Sequence, residues 1–308
     1  MPVQLRLPRS AMHNQIMTLH SPHEPFPQTN PHYWRDRWQQ QKCIRSTDTQ
    51  GCTGSRGYWS CATNVQEIYG KSRRSESWDR KVGTQLAEMN IPAGSRVLDI
   101  GAGTGTLAIP LAVSGCQVTV VEPSGPMREG LAQNQQIAGV PDIVVIPKRW
   151  EDISLEGLGG SFDAVIASYS LTMNDIGAAL LKMQSCCTGT VHLFWFLTPP
   201  SWARVSHDLW PQLHGMEYTG EPLADCLWQV LCEMGIYADI IVEQKKQPTV
   251  YPTIEEAVRE YYQRLNCSTP AQETILCDYF RRNLMYSSRG YQLPGDSLGA
   301  HIRWETRR

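Results

Sequence analysis

The chain has 308 residues, of which 41% are apolar and 19% charged, and its 28 Lys and Arg against 30 Asp and Glu leave a formal net charge of −2. That length holds one large domain or two ordinary ones, and a near-neutral chain lacks the basic face that a general grip on nucleic-acid phosphates needs. The longest apolar runs, such as Val191 to Leu197, fall far short of the roughly 20 residues of a bilayer span, so no membrane segment is expected.

Taken in order, the chain begins with Pro2, Pro8, Pro22, Pro25, Pro27 and Pro31, which predict an extended or disordered arm over residues 1–30. Residues 31–92 are expected to form an N-terminal helical cap: a short helix from Tyr33 to Gln41, a Gly/Thr/Ser loop from Cys43 to Ser60, and helix from Val65 to Met89, broken near Ser72–Ser77. Residues 1–75 carry ten basic and four acidic side chains, which reads as a solvated face with nucleic acid as the alternative. The domain proper is placed at residues 93–308, where the pattern changes to alternating strands and helices. Strands are expected at Arg96–Ile100, Gln117–Val121, Ile143–Ile146, Ala164–Ala167 and Val191–Leu197. Helices are expected at Thr106–Ser114, Met127–Ala138 and Ile176–Met183. Apolar runs bounded by turn residues and separated by helices predict a parallel sheet covered on both faces.

The last third is richer in helix. Ala224–Met234 is amphipathic and stops at Gly235, Ala238–Glu243 reads as a strand, and His301–Glu305 as the final strand. Thr253–Leu265 and Thr269–Met285 predict a helical insert at about residues 253–286. Ten cysteines are too sparse for a disulfide scaffold, and there is no charged start followed by an apolar core. A cytoplasmic protein with reduced thiols is the expectation. Cys43, Cys52 and Cys61 are spaced too widely for a zinc site, and no metal is expected.

The most informative stretch is Val97-Leu98-Asp99-Ile100-Gly101-Ala102-Gly103-Thr104-Gly105-Thr106. Glycines where a strand turns into a helix let a ligand approach the backbone closely. A dinucleotide fingerprint would need glycine three residues after Gly103, where Thr106 stands, and the lysine of a phosphate-binding loop is missing. The stretch resembles the first motif of the seven-stranded, class I S-adenosylmethionine-dependent methyltransferases: an acid, Asp99, then glycines at alternate positions, Gly101, Gly103 and Gly105. The second motif of that family, an acid closing the next strand, is similar to Glu122 followed by Pro123. Phe162 to Ser168 resembles the fourth strand. Wording such as Arg149-Trp150-Glu151-Asp152 is similar to an archaeal or anaerobic branch.

The resemblance implies a doubly wound seven-stranded α/β sheet of order 3-2-1-4-5-7-6, mostly parallel, with the cap at its N-terminus and the insert before its last strand. It implies S-adenosylmethionine as cofactor, with Glu122 on the ribose hydroxyls and Met127 against the adenine. Trp150, Glu151 or Asp152 would read the adenine edge, and Ser168 would lie where methyl transfer happens. The implied activity is in-line transfer of a methyl group to a small molecule or a protein side chain. An RNA methyltransferase, or a non-catalytic methyltransferase-like subunit serving a partner, are the alternatives. No motif fixes the acceptor. Tyr169, following the fourth strand, and His207 are the catalytic candidates. His192 reads as a strand residue, and Tyr58 and Trp59 could close over the cofactor.

Overall fold

The computed structural model describes residues 30–47, 76–140, 143–246 and 248–306. The arm up to Thr29, the loop carrying Cys52, Tyr58, Trp59 and Cys61, and the side chain of Cys43 lie outside the described residues.

Seven strands form the central sheet: β1 (Arg96–Ile100), β2 (Gln117–Val121), β3 (Val144–Ile146), β4 (Phe162–Ser168), β5 (Cys187–Phe196), β6 (Asp239–Lys246) and β10 (Asp296–Glu305). Their order is β3-β2-β1-β4-β5-β10-β6, the expected 3-2-1-4-5-7-6 with β10 as the seventh strand. Pairing is parallel from β3 to β5, and β10 runs antiparallel to both β5 and β6. The parallel strands are near-continuous apolar runs because both faces are covered. In β1, Val97, Leu98 and Ile100 are all buried.

One face of the sheet is packed by α2 (Glu76–Met89), α3 (Ala108–Val113) and α4 (Gly125–Ala138), through Val82, Ile109 and Leu131 against Val97, Ile166 and Phe194. The other is packed by α1 (Tyr33–Thr47), α5 (Ile176–Cys186) and α7 (Ala224–Glu233), through Trp38, Leu180 and Leu227 against Val165, Leu193 and Trp195. Helix α1 is anchored by sequence-distant partners. The Trp34 and Arg35 amides donate to the Glu233 carboxylate, and the Trp38 indole donates to the Met173 carbonyl at 3.0 Å. A third cluster joins α6 (Ser201–His214) to α8 (Ile254–Arg264) and α9 (Pro270–Asn283). Thr253 and Thr269 cap α8 and α9, as their sequences predict.

Several boundaries differ from expectation: α1 runs on to Thr47, past the expected end at Gln41 and into the loop expected from Cys43, and α9 stops at Asn283, short of the expected Met285. Helix α3 begins at Ala108 rather than Thr106, because the glycine turn runs on through Gly105. Strand β5 begins at Cys187 and β10 at Asp296, since pairing with neighbours carries each strand past its apolar run. A second sheet, β7 (Thr249–Tyr251), β8 (Met285–Ser287) and β9 (Gly290–Leu293) in the order β7-β9-β8, was not expected. Its strands are three or four residues long, too short to show a period.

Candidate active site

The turn after β1 is held by backbone contacts. The Gly101 amide donates to the Val121 carbonyl at 2.7 Å, tying the loop to the end of β2. Gly101 and Gly103 sit at φ of 72° and 59°, in the left-handed region. At Gly101 there is also no room, since a Cβ would lie 2.4 Å from that of Ser170. Gly105 serves packing instead: a Cβ there would meet the Leu131 side chain at 2.4 Å.

Glu122, buried at the end of β2, closes this loop. One carboxylate oxygen accepts the Gly103 amide at 2.9 Å and the other the Ser124 amide at 2.8 Å. Each oxygen keeps a lone pair for a further donor. Ser124 then caps α4, which brings Met127 into the same buried corner. Pro123 is exposed, and its carbonyl accepts from Arg128 at 2.7 Å.

Asp99 lies beside Glu122 and is 2% exposed. Burial, and then the neighbouring Glu122 charge, push its carboxyl up from its ordinary 3.8 to about 7. Burial raises Glu122 as well, against the pull of the Ser124 and Gly103 amides. Asp99 Oδ2 and Thr104 Oγ1 are buried without a hydrogen-bond partner. A buried carboxylate pair with open acceptor capacity is electrostatically incomplete. A cation-bearing nucleoside with sugar hydroxyls is the kind of group that completes it.

The third part of the site is the end of β4. Ser168 is half-buried, and Tyr169 follows it with φ of 54°, left-handed for a residue with a bulky side chain. Ser170 Oγ donates to the Ile100 carbonyl at 2.5 Å, locking this end of β4 onto the glycine loop. The Tyr169 ring packs 4.8 Å from that of Phe196, and Lys81 of α2 lies over it, 4.5 Å from the centroid.

Trp150 occupies a different place from the one its sequence suggested. It is 2% exposed, its indole donates to the Ala179 carbonyl of α5, and Lys182 covers its ring while bonding the Trp150, Glu151 and Ile153 carbonyls. Its hydrophobic surface is used for packing. Glu151, paired with Arg149 at 3.3 Å, and Asp152 remain exposed on that turn.

His207 is on α6, along the wall of a cavity of about 550 Å³ between the end of β5, α6 and α9. Phe196 lines this cavity too, and its ring touches that of Tyr169. His192 is buried within β5, and its Nδ1 is 3.1 Å from His301 Nε2. His301 Nδ1 is in turn 3.2 Å from Glu88 of α2. Burial lowers His192 to about 3 and His301 to about 4. Glu88 is raised, by burial and then by Glu243, with which it shares a hydrogen bond. This seam of Lys81, Glu88, Glu243 and His301 under α2 was missed from sequence, because its members lie on α2, β6 and β10 with no shared spacing.

The strand order, the glycine turn and the acid that closes it define a Rossmann-like methyltransferase fold. The model of the methyltransferase-domain family matches residues 70–228, and the chain belongs to that family. The solved structure of the YcgJ protein from Bacillus subtilis superposes with a TM-score of 0.51, at 17% identity over 75% of this chain and 99% of that one. An uncharacterized protein of Haemophilus influenzae is 30% identical over 155 residues, which are 50% of this chain and 56% of that protein. The ribosomal protein L11 methyltransferase of Myxococcus xanthus is 41% identical over 76 residues, 24% of this chain and 25% of the relative. The chain thus spans about half or less of these relatives. Both come from bacteria, so the archaeal or anaerobic branch suggested by the Arg149–Asp152 wording is not supported. No helix among the described residues is long and apolar enough to cross a membrane.

Proposed function

We propose that this protein is an S-adenosylmethionine-dependent methyltransferase acting on a small molecule or a protein side chain. The observation that carries the reading is the Glu122 carboxylate, bonded to the Gly103 amide across the first turn and still able to accept from two sugar hydroxyls. Gly103 gives the cofactor its close approach, and Asp99 offers negative charge toward its cationic end. Met127 supplies an apolar surface for the base, with Glu151 and Asp152 of the exposed turn at its edge, while Trp150 supports that turn from within. S-adenosylmethionine, when bound, supplies a methyl group on a sulfonium. What the chain then has to do is align an acceptor with that methyl and keep water away, and alignment of this kind can remove on the order of 7–11 kcal/mol of barrier. Ser168 and Tyr169, at the end of β4, are assigned to the rim where the two meet.

Calorimetry with S-adenosylmethionine and S-adenosylhomocysteine tests the reading directly. Binding of both is expected, and Glu122→Ala should weaken each at least tenfold, about 1.4 kcal/mol. Absence of heat with either ligand, or full affinity in the variant, overturns it.

A further inference from the structure

We propose that α2 is held on the sheet by a proton-gated latch. The seam running from His192 through His301 and Glu88 to Glu243 closes only while it carries a carboxylic-acid proton, and loss of that proton frees α2 to lift from the end of β4. The latch itself does not depend on the methyltransferase reading; only its bearing on the Tyr169 rim rests on it.

The geometry fixes how many hydrogens the seam must hold. His192 Nδ1 lies 3.1 Å from His301 Nε2, and His301 Nδ1 lies 3.2 Å from Glu88 Oε2. Glu88 in turn shares a hydrogen bond with Glu243. Each of these contacts needs one hydrogen, and a neutral imidazole brings a single N–H. With both rings neutral, His192 donates to His301 and His301 donates to Glu88. The last contact joins two carboxyl groups, and an ionised carboxylate only accepts. One of the two acids must therefore keep its proton. Turning the His301 N–H toward His192 instead makes Glu88 the donor to His301, and the seam then needs a second acid proton.

The surrounding groups decide what losing that proton does. Both rings stay neutral above about pH 4, since burial lowers His192 to about 3 and His301 to about 4. From α2, Lys81 meets the Glu243 charge and lies over the Tyr169 ring. From β10, Arg303 reaches the Glu88 carbonyl at 3.5 Å and is shared with Asp239 of β6 at 3.7 Å. Tyr169 stays a neutral phenol, because burial and then the charges of Glu243 and Glu88 push it up. Glu243 Oε1 is buried, and no N–H or O–H among the described residues donates to it. Once the shared proton leaves, two carboxylates face each other at hydrogen-bond range. Burial raises Glu88 and lowers Lys81, so rising pH charges the acids and discharges the ammonium that offsets them. Both changes weaken the same seam. A carboxyl raised in the folded state holds the latch at low pH and releases it as pH climbs through its folded value. The Glu88 side chain is 25% exposed, which gives the proton a direct way to water.

Little else fastens this helix. Among the described side chains of α2 the buried apolar ones are Val82 and Met89, with Leu86 partly buried. A segment with few buried apolar contacts opens at low local cost. Its connection to β1 passes through Asn90 and Gly94, both left-handed, at φ of 47° and 86°. When α2 lifts, Lys81 leaves the face of the Tyr169 ring, and the rim assigned to methyl transfer is uncovered on that side.

Hydrogen exchange read by mass spectrometry tests the latch on the full chain without cofactor, at pH 6 and pH 9, corrected for intrinsic exchange rates. Protection of α2 relative to α5 should fall at least about tenfold between the two. Glu243→Gln and Glu88→Gln each supply an amide N–H that donates to the remaining carboxylate at every pH. In both variants the relative protection of α2 should stay within about twofold across that range. Wild-type α2 that keeps pace with α5 overturns the proposal even if neither variant folds. Retention of the wild-type pH dependence in either folded variant overturns it as well. S-adenosylmethionine plays no part in this readout, so a failed latch leaves the methyltransferase reading standing, and failure to bind the cofactor leaves the latch standing.

Discussion

Replacing Asp99 by Asn keeps the shape of the side chain and removes its charge. In the folded protein without ligand the carboxyl is raised from 3.8 to about 7, by burial first and then by Glu122. Each pH unit of that rise is worth about 1.4 kcal/mol, so holding the ionised form inside the fold costs about 4 kcal/mol at alkaline pH. The sign follows from the direction of the shift. A carboxyl raised in the folded state contributes its full stability below about pH 4, and that contribution is lost as pH rises through 7. Asp99→Asn should therefore melt close to the wild type at pH 4 and above it at pH 8.5, by on the order of 10 °C. Binding of S-adenosylmethionine should move the other way. Wild-type affinity is expected to fall about tenfold for each pH unit below 7, as the carboxylate that faces the cation becomes protonated. In the variant it should be weaker and flat with pH. Scanning calorimetry and titration calorimetry over pH 4–9 measure the two trends. A stability difference that does not grow with pH, or an Asn variant that binds as well as wild type at pH 8, refutes the assignment of Asp99 as a carboxylate strained for lack of a cation.

Three further outcomes follow from the geometry. Gly101→Ala puts a Cβ 2.4 Å from that of Ser170 at a φ of 72°, and chemical denaturation should show a loss of about 1–3 kcal/mol. Adding Ser170→Gly should restore only the part due to the clash. His301→Leu removes a histidine that burial lowers to about 4, and whose neutral form is lost to the unfolded chain as pH falls below 6.5. Its loss of stability between pH 6.5 and 4 should be smaller than in the wild type, by up to about 3 kcal/mol, in thermal melts across that window. Trp38→Ala empties a fully buried position where α1 meets Trp195, and should cost about 3–5 kcal/mol by denaturant unfolding.

The glycine loop and the acid that closes it were legible because local chain chemistry builds them. Gly101 and Gly103 are needed where the backbone turns left-handed, and Glu122 ends a strand that its own apolar run announces. The aromatic-lined cavity was not, because it is assembled from remote segments. Phe196 ends β5, Trp202 and His207 belong to α6, Tyr279 to α9, and Pro294 joins β9 to β10. His207 could be singled out from sequence only as an imidazole near a strand end. Asp208 and Tyr279 beside it came from the fold. Trp150 shows the opposite case, where a residue placed by resemblance on a ligand-facing turn is drawn inward by the space between β4 and α5 and by a hydrogen bond to Ala179.

Tyr169 stands between the glycine loop and the aromatic ring of Phe196, and its backbone explains why the junction is rigid. Its left-handed φ of 54° costs about 1–2 kcal/mol for a residue with a Cβ, so it persists only if neighbours over-determine it. They do so from several sides. Its amide bonds the Phe194 carbonyl at 2.9 Å, extending the β4–β5 ladder by one residue past the strand. The next residue is tied to the Ile100 carbonyl, and the ring is held between Phe196 and Lys81. A glycine would adopt this backbone without strain, but it would leave nothing between the first turn and the aromatic cavity. The strain is thus the condition for placing a broad, flat side chain at that boundary, with its edges fixed on both sides. In-line transfer needs such fixity more than it needs any single strong acid or base, because a displacement of about 1 Å in the approach line can lower the rate about a hundredfold.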